Sequence, residues 1–560
     1  MKGQCDRPLI LSAALRAIWL MTAMLTLAAC GGSSKSSSYT VGGTISGLTA
    51  GSVVLAYNGG TTVTVSAGAT TWVFPGSFAA GSSYSVTVLT QPAGELCGVD
   101  GDGSEATLAA DVTDVGVVCS PFGQWTWVSG GSGENASGAY GTLGAASGSN
   151  IPGARYDSSA WTDASGNLWV FGGQGYDSTG ALGTLNDLWQ FSPSTGLWTW
   201  MSGASGNNAR GVYGAQGVAS SSNVPGSRYG ASAWTDASGD LWLFGGYGYD
   251  ASGSVGKLND LWRYAPSSGQ WTWVSGGDVG NAAGVYGALG AASSSTTPGA
   301  RYAASSWIDA SGNLWLFGGY GCDSSGDVGA LNDLWKFSPM SGQWTWIGGG
   351  NGENASGVYG TQGAPSASNT PGSRQASSAW TDSAGNLWLF GGYGYDSNGN
   401  VGELNDLWQF NQAGGQWMWV SGGHAVDASG LFGTQGTASV STVPGARQAA
   451  STWTDSAGNL WLFGGYGYNA AGGLGALNDL WQYSSTSGQW TWVSGGNTAN
   501  AIGLYGSQGV ASVSTQPGAR QAASAWTGTS SGNLWLFGGV GYGSTGDGYL
   551  NDLWQFVRPE

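Results

Sequence analysis

Six arginines return at one equivalent position, Arg155, Arg228, Arg301, Arg374, Arg447 and Arg520, each behind Pro-Gly-(Ala/Ser) and ahead of Tyr or Gln. From residue 121 onward the chain carries only eleven Lys and Arg, so most of its positive charge there lies at that position. A guanidinium is a planar fork of donors suited to carboxylates and other anions. The sharp reading is a cationic ligand-binding ring, and the plain one is that each arginine pairs with a neighbouring Asp or loop carbonyl to fasten the repeats together. The next residue is Tyr156, Tyr229 or Tyr302 in three copies and Gln375, Gln448 or Gln521 in the other three. That split gives a ring two chemically different sides, or records duplication of half of it.

Aromatic residues form the second candidate set. Tyr140, Tyr213, Tyr286, Tyr359, Phe432 and Tyr505 stand in Gly- and Ser-rich stretches, as do Tyr176, Tyr249, Tyr395, Tyr468 and Tyr542. Exposed rings in such loops suit stacking on sugars or flat protein contacts, while the alternative has them plugging the loops onto the body. Asp187, Asp260, Asp333, Asp406, Asp479 and Asp552, each between Asn and Leu-Trp, are expected to satisfy backbone N–H groups rather than to bind metal. The acid of each Trp-Thr-Asp-x-x-Gly segment reads as a hairpin-turn residue. The chain has one histidine, His424, and no nucleophile elbow near it, so a Ser-His-Asp hydrolase has little to stand on. No catalytic residue, metal site or cofactor is assigned.

These residues are positioned by a repeat of 73 residues, marked by Trp169, Trp242, Trp315, Trp388, Trp461 and Trp535, the last step being 74. Each unit shows four strand signals, for example 374–381, 387–390, 407–410 and 417–420, bounded by Gly, Asn and Asp. Short links join the first strand to the second and the third to the fourth; about fourteen residues join the second to the third. Alternate connections of an up-and-down sheet leave on opposite faces, so the long loops share one face. Leu387-Trp-Leu-Phe390 is apolar on both sides, so each sheet must be covered twice. Trp125-Thr-Trp127 begins the repeat region as a lone fourth strand and Leu553-Trp-Gln-Phe556 ends it as a lone third. Together the two ends are expected to complete one sheet of a closed ring of six.

The diglycine ending strand two, followed by an aromatic and a Trp seven residues on (Phe191/Trp198, Tyr264/Trp271, Phe337/Trp344, Phe410/Trp417, Tyr483/Trp490), resembles the kelch repeat. The resemblance implies an all-β, six-bladed kelch-type β-propeller over 121–560, its units longer than the usual ~50 residues. In that family arginines equivalent to these sometimes contact acidic ligands. Galactose oxidase, which shares the propeller, needs two histidines and a Cys-linked tyrosine for copper, and one histidine excludes that chemistry here. A sialidase-like reaction would use clustered Arg with a Tyr/Glu pair, but six copies of one group favour recognition over turnover.

Residues 1–30 read as an export leader, with Lys2, Arg7 and Arg16 before an apolar run too short to span a membrane. Leu27-Ala-Ala-Cys30 resembles a bacterial lipobox, which implies lipidation of Cys30 and an outer-membrane lipoprotein of the cell envelope, held to the membrane by its anchor alone. Residues 31–38 read as a flexible tether. Residues 39–120 are expected to form a small antiparallel β-sandwich, resembling modules that precede other domains in bacterial surface lipoproteins. In an exported chain Cys97 and Cys119 read as a disulfide, Cys322 as a free thiol, and the acidic run 100–105 as a hairpin tip rather than a calcium loop. With 32 acidic against 15 basic residues and a net charge of −17, no basic stripe is available for nucleic acid. The expected function is a protein- or carbohydrate-binding module acting through the loop-rich face; a glycan hydrolase or lyase and an adhesive spacer are the alternatives. An asymmetric pocket with perturbed carboxylates would favour the enzyme, and a featureless mouth with every arginine paired the spacer.

Overall fold

The structure is a computed structural model, and it describes residues 37–92, 95–100, 104–121, 123–511, 515–528 and 532–557. The leader, Cys30 and most of the tether lie outside these residues, as does the centre of the acidic run 100–105. Among the described residues there is no helix.

Residues 38–121 form two four-stranded sheets and a short two-stranded pair around a core that includes Val41, Leu55, Trp72, Phe74 and Val117. Cys97 and Cys119 are direct cross-strand partners and are disulfide-bonded. The sandwich is not wholly antiparallel, because Val112–Pro121 runs parallel to Val41–Ser46. It also contains two strands unmarked by alternation, Glu95–Asp100 and Ser104–Thr107.

The repeats fold as similar antiparallel sheets that resemble propeller blades. In the unit of Trp388 the strands are Arg374–Gln375, Ser378–Thr381, Leu387–Tyr395, Val401–Asn411 and Gln416–Ser421. The expected first strand is thus split, with Ala376 at φ +52° between its halves. The expected fourteen-residue link is mostly strand. Gly391 and Gly392 (φ +61° and +96°) make a bulge, after which pairing resumes from Gly392↔Leu404 to Tyr395↔Val401, leaving only residues 396–400 as the turn. A Cβ on Gly391 would lie 2.7 Å from the Arg447 carbonyl oxygen and 2.8 Å from that of Leu404, so only glycine fits this close approach.

Burial follows the composition. Leu387, Trp388, Leu389 and Phe390 are all buried, and six apolar clusters each join neighbouring sheets. One of them packs Trp189 and Phe191 of the first unit against Trp526, Trp535 and Phe537 of the last. The two ends of the region pair as expected: Trp125 lies opposite Phe556 and Trp127 opposite Trp554, in a sheet completed by Leu534–Phe537 and Ser524–Thr527.

The positive-φ residues that split each first strand bond to one another. Asp157 N–H donates to Ala522, Ala522 to Ala449, Ala449 to Ala376, Ala376 to Ala303, Ala303 to Gly230 and Gly230 back to Asp157, at 2.7–2.9 Å. Six hydrogen bonds, one per unit, therefore return to their starting residue. The indole N–H groups of six buried tryptophans make a second such circuit, each reaching the backbone of the next unit, from Trp161 to Trp242 O (2.9 Å) through to Trp526 to Trp169 O (3.1 Å).

Candidate binding site

The six arginines do not form an open cationic ring. Each is about 1% exposed, and its terminal nitrogens grip both carboxylate oxygens of the Asp 32 residues further on at 2.6–2.8 Å, as in Arg155–Asp187, Arg228–Asp260, Arg301–Asp333, Arg374–Asp406, Arg447–Asp479 and Arg520–Asp552. Their Nε groups donate to glycine carbonyls two residues before, and one further bond goes to the diglycine, for example Arg301 Nη1 to Gly318 O at 2.9 Å. Charge taken out of water must be fully paired and hydrogen-bonded, and this fork-to-fork geometry does both. Burial alone would lower the guanidinium pKa of Arg301, yet the Asp333 carboxylate raises it overall.

The same aspartates correct two further expectations. They receive side chains rather than backbone N–H groups: Asp333 Oδ2 accepts the Tyr286 hydroxyl at 2.6 Å and the Trp335 indole at 2.7 Å. Tyr140, Tyr213, Tyr286, Tyr359 and Tyr505 all bond to such an aspartate and are buried, and Phe432 fills the sixth position without a hydroxyl. Burial, then the adjacent carboxylate, pushes the phenol pKa of Tyr286 far up. These loop aromatics are plugs and offer no stacking surface. The turn acids behave as expected; Asp382 accepts the N–H groups of Ala384 and Asn386 and the Trp388 indole.

The residues after the arginines form a further set with their cross-strand partners. Tyr156, Tyr229 and Tyr302 are half-buried and pair with Gln174, Tyr247 and Tyr320. Their rings run as one arc: Tyr549–Tyr156 (5.4 Å between centroids), Tyr156–Tyr229 (6.3 Å), Tyr229–Tyr302 (6.0 Å), with Tyr247 against Tyr302 (5.9 Å) and Tyr302 against Tyr320 (5.8 Å). Lys257 Nζ stands 5.7 Å over Tyr320. The other three units carry Gln375, Gln448 and Gln521 beside Tyr393 and Tyr466. The Tyr/Gln split thus carries into the structure as linked phenol rings in three units and amides in the other three. A cavity of about 180 Å³ is lined by Asp157, Ser158, Ser377 and the small residues at the same positions of the other units. A separate cavity of about 450 Å³ is lined by Trp161, Trp234, Trp307, Trp380, Trp453 and Trp526 with Thr and Ala.

Two carboxyls break the repeat. Asp157 stands where other units have Gly230, Ala303 or Ala376, and burial raises its pKa to about 6. Glu403 stands where register puts Thr184, Lys257, Ala330, Ala476 and Tyr549. It is 4% exposed, accepts Gln448 Nε2 on Oε1 at 3.1 Å, and leaves Oε2 buried without a partner. Burial, then the neighbouring Asp427, raises its pKa to about 8. Asp427 occupies a left-handed position that is Asn135, Asn208, Asn281, Asn354 or Asn500 elsewhere. Sequence reasoning missed Glu403 because it followed what recurs; the signal was the departure from the repeat. His424 is exposed, with Nδ1 3.1 Å from Ser397 Oγ and its ring beside Tyr359 and Trp419. Cys322 is a buried free thiol, its pKa raised by burial. Compared with known proteins, the chain matches no family model and no curated protein.

Proposed function

We propose that the chain is an exported, lipid-anchored, six-bladed kelch-type propeller of the bacterial outer membrane. It acts as a protein- or glycan-binding module at the tyrosine-lined mouth of its channel. The observation that carries this reading is the unbroken arc from Tyr549 through Tyr156 and Tyr229 to Tyr302. Rings with one apolar face and a polar tip, held on strands, present contact area at little entropic cost. The paired arginines remove the anion ring, while a mouth with unlike sides is not that of a featureless spacer. Glycan and peptide arrays probed with the full chain and with Tyr229→Ala and Tyr302→Ala test it: hits lost in both variants are expected, and equal binding by all three overturns it.

One observation favours a second reading, a glycan-active enzyme: the raised pKa of Glu403 beside Asp427. Asp427, however, already accepts the Glu403 N–H at 3.0 Å and interacts with the Tyr468 hydroxyl, so of this pair only Glu403 keeps a buried oxygen without a partner, where glycoside hydrolysis ordinarily uses two carboxyls. Reducing-sugar release that Glu403→Gln abolishes would carry that reading.

A further inference from the structure

Among the described residues, two buried polar atoms at the mouth, on the strands that flank Leu387–Tyr395, lack partners. Glu403 Oε2 and Gln375 Oε1 are both buried and unbonded, and they belong to one cross-strand row, Gln375–Tyr393–Glu403. From the next unit Gln448 Nε2 donates to Glu403 Oε1 and leaves Oε2 unengaged. Gln375 follows Tyr302 by one repeat, so the row begins where the aromatic arc ends. A buried polar atom without a partner is costly, and a ligand group that bonds to it recovers that cost.

We infer that Glu403 and Gln375, with Gln448 holding the carboxyl, form a hydroxyl-recognition subsite for a neutral saccharide whose ring face lies on the tyrosine arc. This rests on the mouth being the binding site. The groups facing Glu403 are Asp427 and Gln448, with Tyr393 across the strand and Tyr468 beyond Asp427; no cation is among its interacting groups. Such surroundings favour the neutral carboxylic acid at neutral pH, which offers an O–H donor to a sugar oxygen and a carbonyl acceptor. An acidic sugar would add a second negative charge beside Asp427. The tyrosines stay neutral through the relevant range, burial having raised Tyr229 to about 12.

The test titrates the full chain calorimetrically with maltohexaose, cellohexaose, chitohexaose, mannohexaose and oligogalacturonate at about pH 6.5 and about pH 9, on either side of the Glu403 transition. At least one neutral oligosaccharide is expected to bind at the lower pH and about tenfold more weakly at the higher, since ionisation removes the donor. Glu403→Gln keeps a neutral donor–acceptor and is expected to bind that sugar equally at both pH values, whereas Glu403→Ala loses it; thermal unfolding of each variant checks the fold. Binding of oligogalacturonate alone, no binding of any of the sugars, or an unchanged pH loss in Glu403→Gln overturns the inference. If Tyr302→Ala abolishes binding of an array ligand while both Glu403 variants bind it like the parent, the mouth reading survives and this subsite does not.

Discussion

Arg301 and Asp333 meet through two parallel hydrogen bonds of 2.6 and 2.7 Å, with their side chains 1% and 0% exposed. The Tyr286 hydroxyl and Trp335 indole close on the same carboxylate. Arg301, Tyr286 and Trp335 thus all converge on the buried Asp333 side chain. The geometry explains why the arginine recurs: each unit buries an aspartate side chain, and the arginine is its ion-pair partner.

Removing the cation strands the anion. Arg301→Ala is expected to lower stability by about 3–5 kcal/mol, and Arg301→Lys to lose part of that because an ammonium cannot make both bonds. Urea unfolding measures it; an unchanged midpoint for the alanine variant would refute the role given to the pair.

Phe432 packs as the sister tyrosines do, its ring 4.9 Å from Trp481 and 5.1 Å from Trp492, yet Asp479 receives no phenol there. Phe432→Tyr is therefore expected to stabilise the protein by about 1 kcal/mol, and Tyr286→Phe to destabilise it by a similar amount. Opposite shifts in melting temperature are the expected result. Shifts of the same sign would show that the hydroxyl contributes little.

Leu553–Val557 pairs with Gln124–Ser129 on one side and Leu534–Phe537 on the other. Ending the chain at residue 552 takes the middle strand out of that sheet and uncovers Trp125 and Trp535. Calorimetry is expected to show loss of the cooperative transition of the repeat region, with binding of an apolar dye. A shortened chain that melts like the parent would mean the two ends do not hold each other.

Glu403 gives stability a pH signature. Its pKa rises from an ordinary 4.5 to about 8 on folding, so the folded state holds its proton more tightly. Its contribution is fully present below about pH 4.5 and is lost as pH climbs to about 8. Asp157, raised from 3.8 to about 6, adds a smaller fall in the same direction. Glu403→Gln is expected to flatten the decline in unfolding free energy between pH 6 and pH 8, where Glu403 dominates. An equal slope in both proteins would contradict the assignment.

Much of the architecture was legible because it repeats. Spaced tryptophans, alternating link lengths and unmatched end strands pointed to the pairing of Trp125-Thr-Trp127 with Leu553-Trp-Gln-Phe556. Strand lengths were not legible, because Gly391-Gly392 looks like a stop and is a bulge through which the ladder continues. The candidate site was half legible. The change from Tyr302 to Gln375 marked where linked phenol rings give way to amides, but Arg301 and Asp333, 32 residues apart, gave no local sign that they consume each other's charge. Glu403 was hidden by its neighbours, since Gly-Glu-Leu-Asn-Asp differs by one letter from Gly-Ala-Leu-Asn-Asp.

The cycle of backbone bonds through Asp157, Gly230, Ala303, Ala376, Ala449 and Ala522 uses no side chain. Substitutions that change what those six positions display to the channel leave the bonds themselves in place, provided that the left-handed backbone is tolerated. Asp157 is one such change already made, a carboxylate set into a collar otherwise built of glycine and alanine. The collar is thus a place where single residues can be exchanged to retune the passage without touching the framework that encloses it.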